Sequence, residues 1–259
     1  MRCCVICGTG NRFTAASDKF ISKLKLFGFD TGTDPYDGKY DVIFAVGGDG
    51  TILDASVDAV ALDVPICGIN AGRVGFLAAF DESDIDDLGA DFLNKLYLSE
   101  RDLLTVSING EKKQEIAVND FVFFKKDICK TVELNLFTDD KKLATYRCDG
   151  IIVSTATGST AYTLSAGGPV ILPDVSATVI TPICAHTTSQ HSLVVPLDTS
   201  IKVMMSARDE EVAIIADGQD VGSISKNESA TVTRYGKKLK LMLSEERDVY
   251  ELLSGTNGG

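Results

Sequence analysis

Two hydrophobic rhythms alternate in the first part of the chain. Val42-Ile-Phe-Ala-Val46 is apolar at every position. A strand with that pattern has both faces covered, as in a parallel sheet flanked by helices. Arg2 to Cys7 and Val64 to Ile69 read as two further strands of the same kind. Between them the spacing changes. Phe20, Ile21, Leu24 and Phe27 recur three and four apart and predict a helix over Ala15 to Phe27, stopped by Gly28. Thr51 to Ala61 reads as a second helix, and the acidic stretch Asp81 to Leu96 as a third. This strand–helix alternation predicts a doubly wound, mostly parallel sheet in an α/β N-terminal domain, with ligands at the carboxyl ends of its strands.

The rhythm changes near residue 100. Leu103 to Ile108, Gln114 to Phe124, Thr131 to Thr138, Lys141 to Cys148 and Gly150 to Thr155 read as strands, with Asn109-Gly110 and Asp139-Asp140 as hairpin turns. A short helix is expected over Thr160 to Ser165. More strands follow at Ala177 to Thr181, Ser192 to Val195, Ile201 to Ser206, Val212 to Ala216 and Ala230 to Arg234. The C-terminal domain is therefore expected to be all-β and largely antiparallel. We place the boundaries at 1–98, 99–235 and 236–259, with Gly255 to Gly259 as a disordered tail. No repeat or low-complexity linker separates the two domains, so they are expected to pack together around a cleft.

Composition narrows the possible partners. With 259 residues, 44% of them hydrophobic, the chain can bury a core. A net charge of −12 argues against non-specific binding to nucleic acid or to an anionic membrane, while leaving room for a local phosphate pocket. The seven cysteines follow no apolar leader, and no run reaches membrane-spanning length. A reduced, cytoplasmic protein is the expectation. Cys4-x-x-Cys7 is read as part of a buried strand rather than as a redox or metal pair, since no second pair completes a site. His186 and His191, the only histidines, have no evident partners and are read as pocket-lining or surface residues.

Two stretches carry chemistry. Gly47-Gly-Asp-Gly-Thr51 lies between a strand and a helix. Glycines permit positive φ and close approach of a ligand, and the helix start offers N–H groups and a positive dipole end to phosphate oxygens. A carboxylate there repels free phosphate unless it has another duty, such as taking a proton from a hydroxyl or holding Mg²⁺. A plain helix cap by Asp49 or Thr51 would explain one residue but not all three glycines. The second stretch, Asp149-Gly-Ile-Ile-Val-Ser-Thr-Ala-Thr-Gly-Ser-Thr-Ala-Tyr162, ends a strand in a run of hydroxyls. Such small donors and acceptors, with Tyr162 as a stacking surface, suit a ribose and a base. A capped Ser/Thr-rich loop is the plainer alternative.

Together the two stretches resemble the NAD kinase family. Asn70-Ala-Gly-Arg-Val-Gly-Phe-Leu77, Ala117-Val-Asn-Asp120, Gly167-Gly-Pro-Val-Ile-Leu-Pro173, Thr181-Pro-Ile-Cys184 and Asp217-Gly-Gln219 agree with it in order. The glycine–aspartate turn alone is shared with lipid kinases and phosphofructokinases; the Ser-Thr-x-Thr-Gly-Ser-Thr-Ala-Tyr run makes the match specific. The resemblance implies phosphorylation of the 2′-hydroxyl on the adenosine ribose of NAD to give NADP. ATP or another phosphoryl donor would be the co-substrate, with a divalent cation, Mg²⁺, whose ligands the sequence does not assign. It also implies a sandwich-like C-terminal domain, a final segment returning to the first domain, and a homodimer or homotetramer. By similarity Asp49 faces the hydroxyl, and Asn119 and Asp120 hold the adenosine half. Gly50, Phe76, Arg147, Asp149, Thr157, Thr160, Ala161, Tyr162 and Ser165 line the rest of the dinucleotide site. Gly47, Gly48, Gly50, Thr51 and Arg73 are the candidates for the phosphate donor, Arg73 from its charge. Asp217 is a further candidate, or else a turn carboxylate.

The chain departs from the family pattern in places. Ala156 stands where the family usually has proline, and Ala185-His-Thr-Thr188 replaces Pro-His-Ser-Leu. Asp49 is untouched by these changes. An ordinary aspartate, with a pKa near ~3.9, is a weak base for a sugar hydroxyl. In a loose phosphoryl-transfer transition state the proton leaves late, so a positioned carboxylate still orients the nucleophile and accepts the proton. A lipid or sugar kinase, or a nucleotide sensor without activity, are the rival readings.

Overall fold

The computed structural model describes residues 1–72, 75–127, 129–186, 191–206 and 211–244. The chain divides into two compact units, Met1–Glu100 with the described residues from Lys238 onward, and Arg101–Lys237.

The first unit is built on a seven-stranded sheet. Its strands are β1 (Arg2–Cys7), β2 (Asp30–Gly32), β3 (Val42–Gly47), β4 (Ile66–Asn70), β5 (Ala78–Asp81) and β6 (Leu96–Arg101), joined by α1 (Asn11–Leu26) and α2 (Asp49–Leu62). A late strand, Leu239–Ser244, pairs in parallel with β4 and completes the sheet. β3 is buried at all six positions, which accounts for its unbroken apolar run. The order runs β2-β1-β3-β4, so α1 carries the chain toward one edge and α2 toward the other. The switch in direction falls between β1 and β3, and in sheets of this kind ligands bind at the carboxyl ends of the strands there. Phe20 of α1 packs edge-on against Phe44 of β3 at 5.0 Å, and both rings meet Phe92.

Three local expectations are corrected. α2 begins at Asp49 rather than Thr51, which brings the carboxylate inside the helix. Residues 81–96 do not form one helix. They make two 3-10 turns, Glu82–Asp86 and Phe92–Lys95, with Gly89 between them. A reciprocal cap between Asp81 and Asp84 tightens the first turn. Ile85 and Phe92 are buried, one in each turn. The expected helix over Thr160 to Ser165 is also divided, into a 3-10 turn at Thr157–Thr160 and a single α-turn, α3 (Tyr162–Ser165), with Ala161 out of helical geometry at the junction.

The second unit holds two six-stranded antiparallel sheets. Its strands are β7 (Leu104–Ile108), β8 (Glu111–Ala117), β9 (Asp120–Lys125), β10 (Val132–Thr138), β11 (Lys141–Cys148), β12 (Gly150–Thr155), β13 (Ala177–Ile183), β14 (Leu193–Pro196), β15 (Ile201–Met205), β16 (Glu211–Ala216), β17 (Gln219–Ser225) and β18 (Ser229–Arg234); the late strand of the first unit is β19. One sheet has the order β11-β10-β15-β18-β7-β8 and the other β14-β13-β12-β9-β16-β17. Leu134, Leu136, Val203 and Val232 of the first sheet share one core with Phe121, Phe123, Ile151, Val153 and Ile214 of the second, as in a sandwich. β10, β15 and β16 alternate buried with half-buried positions. β12 and β13 are buried throughout. Their second face is also covered: Val122, Ile152 and Ile183 form a small separate core, against which Ala166, just after α3, packs. That outer layer sets the hydroxyl-rich segment over β9 and β12. The fold class read from the sequence, α/β followed by an all-β sandwich-like domain, is the one observed.

Residues 114–124 form two strands, not one. β8 ends at Ala117 and β9 starts at Asp120, because the backbone between them bonds to a turn and a threonine rather than to a ladder.

Candidate active site

In the first unit the Gly47–Thr51 turn occupies the switch point. The Gly8 N–H donates to the Val46 carbonyl at 2.9 Å, and the Ala71 N–H to the Gly47 carbonyl at 3.0 Å, tying the ends of β1, β3 and β4 together. Gly48, not Asp49 or Thr51, is the N-cap, and its extended backbone (φ −90°, ψ −178°) leads into α2. The capping role considered for Asp49 is therefore not what it does. Asp49 is the first helical residue, and its Oδ2 accepts the Phe76 N–H at 3.1 Å. A Cβ on Gly75 would collide with this carboxylate, so glycine there lets the 75–76 backbone close over Asp49. None of Gly47, Gly48 and Gly50 adopts the positive φ that the sequence invited. Gly47 lies flush against Thr51, whose side chain fills the place a Cβ would take, whereas Gly48 and Gly50 face open space. The bareness at Gly48 and Gly50 therefore leaves clearance beside the turn without an unusual backbone.

Asn70, at the end of β4, was quoted in the sequence only as part of a motif. It is buried, donates from Nδ2 to Asp81 Oδ1 at 2.8 Å and accepts the Gly72 N–H at 3.0 Å. It thereby fixes the start of the loop that leads to Phe76. Arg73, the cation assigned to the donor, lies outside the described residues, as do the chain's departures at Thr187 and Thr188 and its tail.

In the second unit the predicted dinucleotide residues gather mainly at the two ends of β9 and β12, Asp120 beside Ser154 at one and Asp149 beside Lys125 at the other. Asp120 starts β9, next to Ser154 of β12. It is buried, and its pKa is raised to about 7, first by burial and then by the Asp217 carboxylate. Thr155 braces the preceding residues: its Oγ1 donates to the Val118 carbonyl at 2.6 Å and its N–H to the Asn119 carbonyl at 2.8 Å. Gly158 lies directly on the Asn119 backbone, where any Cβ would clash. Among the run's hydroxyls, Ser159 bonds the Ala156 and Ile171 carbonyls, and Thr160 the Thr157 carbonyl. Part of the hydroxyl-rich run thus holds the turn together, as the capped-loop alternative proposed. Thr157 is buried, Ala161 immediately precedes α3, and Ser165 is its last residue.

Tyr162 is 42% exposed at the start of α3. Its phenol is pushed up by partial burial, then by Cys184, Asp120 and Asp149, which places these groups around it. Asp149 pairs with Lys125 at 2.7 Å, a partner that sequence reading missed because it lies on β9. Arg147 is exposed on β11 with Nε donating to Thr131 Oγ1 at 3.3 Å, and its carbonyl accepts the His186 N–H at 2.9 Å. His186 and His191 are both exposed. Asp217 is engaged by three backbone N–H groups, so the turn-carboxylate alternative describes its contacts.

All seven cysteines are free; Cys4 is buried in β1 and Cys7 is exposed at its end. Residues three apart on a strand point to opposite faces, so the two cannot converge on one ion. No group of three or more metal-binding side chains occurs among the described residues. No helix among them is long and apolar enough to cross a membrane.

Comparison with known proteins extends these local features to both units. Residues 27–97 match the model of the ATP-NAD kinase N-terminal domain, and residues 118–244 that of the ATP-NAD kinase C-terminal domain. The chain belongs to the NAD kinase family. An NAD kinase of Clostridium tetani is 38% identical over 82% of this chain and 79% of its own. An NAD kinase of Clostridium botulinum strain Kyoto is 32% identical over 90% and 84%. Among solved structures, an Archaeoglobus fulgidus NAD kinase in complex with ATP aligns with a TM-score of 0.77 at 26% identity, covering 98% of each chain. The yeast NADH kinase complexed with NADH aligns at 0.87 over 100% of this chain and 88% of its own; at 20% identity that likeness bears on the fold alone. Agreement with the family models in both halves favours an NAD kinase over a lipid or sugar kinase. The chain is thus a phosphotransferase of the NAD kinase family.

Proposed function

We propose that this NAD kinase transfers the γ-phosphoryl group of ATP to the 2′-hydroxyl of the adenosine ribose of NAD, giving NADP and ADP. The observation that carries the reading is Asp49: a carboxylate at the first position of α2, held by the Phe76 N–H and bordered by glycines that leave space beside it. Asp49 orients the ribose hydroxyl and takes its proton as the new O–P bond forms and the bond to ADP breaks. Such assistance is typically worth about 10²–10⁴-fold.

Gly47, Gly48, Gly50 and Thr51, with Arg73, receive the donor phosphates at the helix start. The turn offers one carboxylate, which suits a divalent cation delivered as MgATP, since Mg²⁺ keeps several waters and binds through few protein oxygens. Such a cation, when bound, would neutralise charge on the donor phosphates. Asn119 and Asp120 hold the adenosine half, and Tyr162 gives it a stacking surface. Phe76, Arg147, Asp149, Thr157, Thr160, Ala161 and Ser165 line the remainder. We place the enzyme in the cytoplasm, as a homodimer or homotetramer without a nucleic-acid or membrane partner.

Incubation of the purified chain with NAD, ATP and Mg²⁺ tests this, with phosphorus NMR to locate the added phosphate. A 2′-phosphomonoester on the adenosine ribose is expected, and ADP released in equal amount. A phosphate elsewhere, or none with either ATP or polyphosphate, would overturn the reading.

A further inference from the structure

Residues 118–120 present Asn119 and Asp120, and all six backbone polar groups of this segment are taken up within the second unit. The N–H groups of Val118, Asn119 and Asp120 donate to the Asp217 carboxylate at 2.7, 2.9 and 3.0 Å. The Val118 carbonyl accepts the Thr155 hydroxyl at 2.6 Å, the Asn119 carbonyl the Thr155 N–H at 2.8 Å, and the Asp120 carbonyl the Asp217 N–H at 3.1 Å. The side chains alone remain to face a ligand. Asp217 reaches this position because it turns the chain from β16 to β17, with φ of 46° and Gly218 at 90°. That left-handed pair folds the carboxylate back over the neighbouring strand end.

We propose that Asp217 is a positioning residue for dinucleotide binding: its carboxylate sets the Val118–Asp120 backbone in the shape that presents Asn119 and Asp120 to the adenosine half of NAD. The proposal rests on the assignment of those two residues to that half. Three charge-assisted bonds to one carboxylate are stronger than three neutral ones and leave the segment little freedom to lose on binding. Asp217 touches no ligand atom in this account. It also acts on Asp120 through charge. Two titratable groups bear on Asp120 from neighbouring elements, Asp217 from the β16–β17 turn and Tyr162 from α3. Burial raises the Asp120 pKa and the Asp217 charge raises it further, to about 7. NAD affinity therefore changes with pH around neutrality as Asp120 titrates. Removing the Asp217 charge lowers the Asp120 pKa, so the midpoint of that change moves to lower pH.

The test is Asp217→Asn in the full chain, with the Kd for NAD measured by calorimetry across the neutral pH range and KM and kcat measured beside it. An amide matches the carboxylate in size but places N–H groups toward N–H donors. Kd and KM for NAD should rise by about tenfold, the loss expected when one partner of a buried hydrogen bond is removed. kcat should fall by much less, and the pH midpoint should move down. Asp120→Asn supplies a second readout, because it leaves the Asp217 clamp intact and should abolish the midpoint near neutrality. A folded Asp217→Asn with unchanged Kd and midpoint overturns the proposal, as does a midpoint that survives in Asp120→Asn. Failure of the unsubstituted enzyme to make NADP would instead overturn the reading of function.

Discussion

The Gly47–Thr51 turn and the Val118–Asp120 segment, proposed to meet the phosphate donor and the adenosine half, are built on opposite principles. The Gly47–Thr51 turn gains its character from what is missing: at Gly48 and Gly50 nothing lies where a side chain would stand, and Asp49 projects from a helix start whose cap makes no side-chain bond. The Val118–Asp120 segment is defined by saturation, with all its backbone donors and acceptors bonded to Asp217 and Thr155. A turn left open has the room that the phosphate donor proposed for it would need. A saturated one makes a fixed template, which suits reading the edge and sugar of one nucleoside. The open site supplies charge and space; the closed site supplies shape.

That contrast can be attacked at several points. After loss of the Asp49 carboxylate itself, the largest effect is expected at Gly75→Ala. Its Cβ would collide with the Asp49 carboxylate, and displacing a reacting group by about 1 Å costs roughly 10²-fold. Steady-state kinetics should show the loss mainly in kcat. Tyr162→Ala probes the template side instead. Losing one base–aromatic stack should weaken NAD binding by about tenfold and alter kcat little, as read by calorimetry; unchanged affinity would remove Tyr162 from the site. The smallest effect is expected at Ala156→Pro. Ala156 has φ of −59° and follows an extended residue, both compatible with proline. Stability should rise by about 0.5 kcal/mol, a melting-temperature gain of roughly 1–2 °C by calorimetry, with kinetics unaltered.

Much of the architecture was legible because burial writes itself into the pattern. The unbroken run of β3 and the alternation of β10, β15 and β16 each reflect which faces are covered. β17 escaped because Gly222, at φ of 140°, and a register shift break its alternation. β19 escaped because a parallel partner far back in the sequence gives no local turn signal, and β2 is only three residues long. Residues 81–96 read as one acidic helix, but Gly89 and the Asp81–Asp84 cap divide them into two tight turns.

At the site, residue identity and chain order pointed to Asp49, Asp120 and Asp149, but their contacts are long-range. The three N–H groups on Asp217 come from nearly a hundred positions earlier, at separations of 97 to 99 residues. The Lys125–Asp149 pair depends on the β9–β12 register. The glycines suggested positive φ, whereas the fold uses them for clearance. No spacing rule in a single sequence distinguishes those uses.

The central claim is that the Asp49 carboxylate handles the ribose proton. It is tested most directly by Asp49→Asn, with single-turnover formation of NADP and the NAD dissociation constant measured on the same preparation. The account predicts a rate lower by about 10²–10⁴-fold with NAD affinity nearly unchanged. A variant that turns over at the native rate, with the amide confirmed intact by mass spectrometry, would contradict it.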